Sequence, residues 1–191
     1  MVHSFQWIQG ALGIIVALGM TRLIVSVVHM RLARKVVRLD WIPFVWALNI
    51  FFLLLQFSWV FVALEAIVPH WTFGTFLIVF GFVLTLFIAS ALVLPSTEAQ
   101  AGTNLQTWFE HDGRYSLLFL AAYSLLSYFF NWYFAGQGPE TNPAAGMLIT
   151  MSLVSFFTKS RKLLATMTIL NLMLTVALMA QMVMAEMMFA E

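Results

Sequence analysis

The 191 residues are 62% hydrophobic and 9% charged, with a mean hydropathy of +0.94. A soluble domain carries about 25% charged residues, so most of this surface must face lipid rather than water. The formal net charge of +1 argues against a nucleic-acid partner. The chain has no cysteine, which excludes disulfides, thiolate metal sites and cysteine nucleophiles.

Continuous apolar runs indicate helices that cross a membrane. A helix crosses the hydrocarbon layer of about 30 Å with roughly 20 apolar residues. The sequence therefore predicts an all-α bundle, a single transmembrane domain over residues 1–191 with six spanning helices, at about 7–30, 41–68, 71–94, 115–134, 143–157 and 163–189. The fifth of these is short, so it either crosses with little tilt or is re-entrant.

Positive charge selects between these two alternatives. Eight of the nine Lys and Arg lie in predicted loops, namely Arg31, Arg34, Lys35, Arg38, Arg114, Lys159, Arg161 and Lys162. With six spans they all fall on one side, which the positive-inside bias assigns to the cytoplasm. If residues 143–157 did not cross, the last three cations would face the other side. We therefore favour six spans with both chain ends on the non-cytoplasmic side.

Local signals mark a helix end and a loop. Asp40 is the predicted N-cap of the second helix. Leu105, Trp108 and Phe109 share one helical face, which predicts an interfacial helix at about 99–110.

The N-terminus lacks a basic region ahead of its long apolar run, so we expect no cleaved signal peptide.

Arg22 is the cation predicted inside a span. It lies on one helical stripe with Gly19, Ser26 and His29. It is eight residues from the cytoplasmic end of its helix, which corresponds to a depth of about 12 Å. The buried charge has three interpretations: it snorkels to the headgroups, it bonds polar groups of neighbouring helices, or it forms an anion site.

Candidate partners of Arg22 follow from the same count. Asn49 and Asn171 each lie eight residues into their predicted helices, so the three side chains share one depth. Gln56 follows Asn49 by seven residues and shares its helical face. Arg22, Asn49, Gln56 and Asn171 are therefore the candidate ligand- or anion-binding residues.

A second polar stripe lies on the fourth predicted helix, where Ser124, Ser127 and Asn131 share one face. Small polar residues at this spacing typically mark helix–helix contact, and we predict that role for them, as for Gly19 and Ser26. A substrate path along this face is the alternative. We predict no catalytic residue, cofactor or metal centre, and a bound lipid is compatible with the sequence.

Four motifs of the first half stand out: Leu18-Gly19-Met20-Thr21-Arg22-Leu23, the set Trp46, Asn49, Gln56 and Trp59, then Trp71-Thr72-Phe73, and Leu94-Pro95. They resemble a family of small bacterial inner-membrane proteins that has no assigned activity. The second half is similar only in pattern, with an acidic-aromatic loop followed by an apolar helix. The resemblance implies a multi-pass protein of a bacterial inner (cytoplasmic) membrane.

Three functions are compatible with this sequence. We favour an accessory or scaffolding subunit of a larger membrane complex, because almost no mass lies outside the bilayer and the 19 Phe suit contact with other helices or lipid. Its partners would be membrane lipids and other subunits or further copies of the chain. The alternative is a small channel or transporter component for an anion or small solute, with Arg22 in the pathway. The third is a lipid-modifying enzyme that binds a headgroup with Arg22 and the Glu110-His111-Asp112 loop.

Overall fold

The computed structural model describes residues 2–68, 71–95, 104–136 and 143–189. Its helices are α1 (Val2–Leu32), α2 (Trp41–Ile67), α3 (Phe73–Leu92), α4 (Leu105–Trp108), α5 (Tyr115–Ala135), α6 (Pro143–Phe157) and α7 (Arg161–Phe189). A 3-10 turn, Ala33–Lys35, follows α1, and a π turn, Phe109–Gly113, continues α4. No strand occurs in the described ranges, so the predicted all-α class is confirmed.

Five of these helices are long and apolar enough to cross a membrane: α1, α2, α3, α5 and α7. The helix α6 has 15 residues and is the short apolar one. The interfacial helix expected at 99–110 is a single turn, 105–108, followed by the π turn, and residues 99–103 lie outside the described part of the chain.

The helices pack side by side in the order α1, α3, α5, α6, α7 and α2, and α2 closes the ring onto α1. The helix α2 also contacts α3 and α5, and it is the most enclosed of the five long helices. Its buried face carries large side chains at helical spacing, including Trp46, Ile50 and Leu54. This face packs against the neighbouring helices, whereas Leu48, Leu55 and Trp59 on the other side of α2 are exposed.

Three links gather the basic loops at one end of the bundle. Arg161 at the start of α7 forms a bidentate ion pair with Asp40 at the start of α2, with N–O distances of 2.8 and 3.1 Å. The backbone N–H of Leu105 donates to the carbonyl of Arg38 at 3.0 Å. Arg114 donates to the carbonyl of Thr158, just beyond α6, at 2.9 Å. We call this the basic end. Because α5 and α7 start here and α6 ends here, α6 runs antiparallel to both.

Asp40 differs in one respect from the prediction. It precedes α2 in an extended conformation (φ −129°, ψ 138°), as an N-cap residue does, but its side chain makes no capping bond. Its carboxylate binds Arg161 instead. The guanidinium bonds both carboxylate oxygens, so two charge-assisted bonds to Arg161 take the place of a single bond to the helix backbone.

Candidate functional site

A cavity of about 270 Å³ lies inside the bundle, among α2, α3, α5, α6 and α7. Its polar side chains are Gln56 from α2 and Tyr123, Ser124, Ser127 and Asn131 from α5. The remaining lining is apolar: Leu53, Phe57, Val60, Leu64, Val79, Phe82, Phe130, Ala144, Ala145, Leu148 and Leu178. None of these lining residues carries a charge. We call this volume the central cavity.

Small side chains leave the space. Ser124, Ser127 and Asn131 follow one another at intervals of three and four residues, so they project from the same face of α5. The neighbouring α6 presents Ala144 and Ala145 to the same volume. Two adjacent helices with short side chains toward the centre cannot fill the gap opposite α2, and the cavity results.

Aromatic rings from α2, α3 and α5 form one wall of the central cavity. The Phe57 and Phe82 rings are stacked with centroids 6.0 Å apart, and Tyr123 meets Phe82 edge to face at 5.8 Å. Phe130 also meets Phe82 edge to face, at 5.5 Å. Packed aromatic pairs of this kind stabilise one another beyond the area they bury. The cavity therefore has an aromatic wall, formed by Phe57, Phe82, Tyr123 and Phe130, beside the polar stripe of α5.

The hydrogen-bonding capacity of the polar stripe is largely unused. Ser124 donates to the carbonyl of Leu120 on its own helix at 3.1 Å. The side chains of Ser127 and Asn131 form no hydrogen bond with another described residue. The Asn131 amide offers both a donor and an acceptor, and the Ser127 hydroxyl offers either. The stripe can therefore bind a hydroxyl, carbonyl or amide group.

Asn49 and Asn171 lie outside the cavity, in contact with each other. Asn49 Nδ2 donates to Asn171 Oδ1 at 2.5 Å, which links α2 to α7. The bond leaves Asn49 Oδ1 and Asn171 Nδ2 without a partner among the described residues, and Trp46 Nε1 and Thr175 Oγ1, one turn away on each helix, are in the same condition. The amide pair is thus a buried helix–helix contact with spare polar atoms around it.

Arg22 is separate from this pair. Its guanidinium donates to Ser26 Oγ at 2.5 Å, one turn toward the basic end on the same helix. Asn49 Oδ1 has no partner in the described chain, so Arg22 gives it no hydrogen bond. Of the three side chains predicted at one depth, Asn49 and Asn171 are in contact, and Arg22 bonds Ser26 instead. The half-buried Arg22 side chain points in the direction that snorkelling requires.

Gly19 packs against two helices. A Cβ added there would lie 3.2 Å from Leu54 Cδ1 and 3.4 Å from Ser90 Oγ, so the glycine lets α1 approach α2 and α3 closely. Ser26, two turns along, is 2% exposed. The helix-packing role of Gly19 and Ser26 stays a prediction, which the close approach at Gly19 supports.

A second volume, of about 370 Å³, is a groove between α2 and α7 on the outside of the bundle. It is lined by Leu55, Gln56, Ser58, Trp59, Met179, Met182 and Val183. We call it the lateral groove. Gln56 lines both the groove and the central cavity, and its Nε2 donates to Met182 Sδ at 3.1 Å.

Sequence reasoning located part of this site. Gln56 and the stripe Ser124, Ser127 and Asn131 were singled out on different helices, and the structure brings them to one cavity. The aromatic wall was missed, because phenylalanine is so frequent in this chain that its spacing selects no particular group. Only the packing of α2 against α3 and α5 distinguishes Phe57, Phe82 and Tyr123 from the rest.

No family model, curated protein or solved structure matches this chain. Its described helices form an apolar bundle around a partly open cavity, and the described lining of that cavity is amphipathic and carries no charge. The function must therefore be inferred from the chemistry of that cavity.

Proposed function

We propose that the protein binds a small, uncharged, amphipathic molecule inside the bilayer. The central cavity carries this proposal, because its polar stripe and its aromatic wall line one volume and none of the described lining residues is charged. The polar group of the ligand would bond Ser127 and Asn131, while its apolar part would lie against Phe57, Phe82 and Tyr123. Ligand sites generally combine a mostly apolar lining with a few convergent polar groups.

Charge and size restrict the ligand. An ion moved into an apolar site without a counter-charge loses several kcal/mol of hydration, so an uncharged molecule fits and an anion does not. Sites for drug-sized ligands have volumes of about 300 Å³ or more. The cavity is slightly smaller, at about 270 Å³. It suits a ring or a polar head with a short chain rather than a whole phospholipid.

The six-span topology is part of the proposal. A helix of 15 residues is about 22 Å long, which is short for a span. Two contacts at the basic end support a crossing by α6. Arg114 bonds the carbonyl of Thr158 just beyond the end of α6, and Arg161 at the start of α7 pairs with Asp40. With α6 crossing, all loop cations lie on the cytoplasmic side and both chain ends lie opposite. A bacterial inner membrane is the localisation that this charge bias and the family resemblance support.

Binding is tested by asking what the purified protein carries. The protein would be isolated in mild detergent and extracted with organic solvent for mass spectrometry. We expect an uncharged amphiphile at close to one molecule per chain. Ser127→Leu fills the polar side of the cavity and should remove it. Thr150→Leu is the matched control, because Thr150 is exposed on α6 and bonds only its own helix.

The result is decisive in either direction. An amphiphile retained by the Thr150→Leu variant and lost by the Ser127→Leu variant supports the proposal. Absence of any such molecule from the wild-type protein, or equal retention by both variants, contradicts it. Circular dichroism of both variants checks that the helical content is unchanged.

A role as an accessory subunit is the second candidate, and α1 favours it. A Cβ added at Gly10 or at Gly13 would meet nothing within 4 Å, so these glycines face away from the described bundle. Small residues on the face of an apolar helix allow another helix to approach closely. Native mass spectrometry in mild detergent should then show a complex that Gly13→Leu weakens. A chain that runs alone contradicts this role.

A further inference from the structure

We infer that the central cavity is filled from the bilayer, through the seam between α2 and α7 at Gln56, so that its ligand is a lipid-soluble molecule. This inference rests on the proposed binding function and adds the route and the class of ligand. It starts from the position of Gln56, which lines the cavity on one side and the lateral groove on the other. Gln56 is therefore the residue that the cavity shares with the lateral groove.

The strongest contacts between α2 and α7 lie nearer the basic end than Gln56. At the basic end, Asp40 and Arg161 form a bidentate ion pair. Further along, Asn49 and Asn171 form a buried amide bond. At Gln56 the link is an amide bonded to a thioether sulfur, which is a weak acceptor.

The side chains at the weak point can move without moving the helices. Met182 has an unbranched side chain with three rotatable bonds, and methionine adapts readily to a changed shape. Gln56 is also unbranched, and neither residue is fully buried. Rotation of these two side chains would join the cavity to the groove, whereas the amide pair nearer the basic end keeps α2 and α7 together.

The chemistry on the two sides of Gln56 specifies the ligand. Outside, Leu55, Trp59 and Val183 present an apolar surface that suits an alkyl or isoprenoid chain. Inside, Ser127 and Asn131 offer hydrogen bonds to one polar group. The ligand is accordingly a lipid-soluble alcohol, ketone or quinone-like ring, with its polar group in the cavity and its chain passing Gln56 into the groove. This arrangement also explains why a cavity of this size suffices.

The route can be tested by cysteine reactivity, because the chain has no cysteine of its own. A Ser127→Cys variant places one thiol in the cavity. The protein would be reconstituted in vesicles and treated either with a lipid-soluble maleimide or with a charged, membrane-impermeant maleimide, and each rate would be compared with that of the same reagent on a free thiol. We expect the lipid-soluble reagent to react faster. Adding Met182→Ala removes the acceptor of the Gln56 bond and should raise that rate about two- to tenfold, the effect of losing one weak hydrogen bond on an opening equilibrium.

Two controls isolate the seam. Met173→Ala changes an exposed methionine of α7 that lies outside both volumes, and it should leave the rate unchanged. A Ser90→Cys reporter, buried on α3 outside the cavity, should stay slow with Met182→Ala. A rise at both reporters would mean that the bundle had loosened generally, and it would overturn the inference.

The route and the binding function can fail separately. If the amphiphile is present and Ser127→Leu removes it, but Met182→Ala leaves the labelling rate unchanged, binding stands and the lateral route is wrong. Faster labelling by the charged reagent would likewise place the opening on the water side and overturn the route. If the wild-type protein carries no amphiphile, the binding function fails, whatever the labelling rates show about access.

Discussion

Asn49 on α2 donates a hydrogen bond to Asn171 on α7, and both side chains are 1% exposed. The two helices run in the same direction, since both start at the basic end where Asp40 meets Arg161. The amide pair is therefore the middle of three polar links along one seam, between the ion pair and the weak Gln56–Met182 bond. Because the pair is buried, it fixes the relative axial position of α2 and α7 within the apolar part of the bundle.

Replacing either amide should destabilise the bundle, and the two replacements should not be additive. Asn49→Leu leaves both polar atoms of Asn171 unpaired, and an unpaired buried polar group costs about 1–3 kcal/mol. The double replacement removes both members, so its effect should be smaller than the sum of the two single effects. Direct couplings between membrane helices average about 0.6 kcal/mol. Unfolding in mixed micelles with increasing sodium dodecyl sulfate measures all three free energies.

The control for this cycle is Thr166→Leu. Thr166 is exposed on α7 and bonds only the carbonyl of Lys162 on its own helix, so the change should alter the free energy of unfolding little. Strict additivity of the two asparagine replacements would contradict the view that they act as one pair.

The register of this pair could be predicted from the sequence, whereas the position of Arg22 could not. A helix rises by a fixed 1.5 Å per residue, so counting from loops on the same side gives the depth of a side chain. Asn49 and Asn171 meet because α2 and α7 are also neighbours. Arg22 lies ten residues before the end of α1 at Leu32, two more than expected. Depth also does not specify the direction in which a side chain points or which helix faces it.

The central cavity likewise could not be predicted from local patterns in the sequence. The spacing of Ser124, Ser127 and Asn131 identified one polar face of α5, and the assignment to helix contact followed from the usual role of such residues. That face meets the small residues of α6 and also lines the cavity opposite α2. Which helices adjoin α5 depends on the packing of the whole bundle, and no local pattern in the sequence carries that information.

The Asp40–Arg161 pair should respond unequally to removal of its two members. The Asp40 side chain is 6% exposed, whereas that of Arg161 is 42% exposed. Arg161→Ala leaves a nearly buried carboxylate without its partner, and we expect a loss of about 1–3 kcal/mol in the free energy of unfolding. Asp40→Asn leaves a guanidinium that water can solvate, so its cost should be smaller, about 1 kcal/mol or less.

The same unfolding assay separates these effects from a general loss of surface charge. Lys162→Ala removes an exposed cation that has no ion pair in the described chain, and it should change the free energy by no more than about 0.5 kcal/mol. If Asp40→Asn proved more harmful than Arg161→Ala, the view that the buried carboxylate is the costly member would be wrong.

Arg22→Met should leave ligand binding intact. Arg22 is absent from the lining of the central cavity, and its hydrogen bond goes to Ser26 on the same helix. The amphiphile extracted from this variant should match the wild-type amount, while Asn131→Leu should reduce it. If Arg22→Met alone removed the bound molecule, the ligand would depend on this cation, and an anionic ligand near α1 would replace the uncharged one proposed here.

The direction of α6 is tested by labelling at its C-terminal end. Ser160 is exposed in the loop between α6 and α7, beside the cations of the basic end, and Phe73 is 75% exposed at the start of α3, at the opposite end. With six spans, an impermeant maleimide added to intact cells should modify a Phe73→Cys variant and leave a Ser160→Cys variant unmodified. Permeabilised cells should give reaction at both positions, since both sites are then accessible. Modification of the Ser160→Cys variant in intact cells would mean that α6 does not cross. The α6–α7 loop and its three cations would then face outward, against the positive-inside bias that orients the whole bundle.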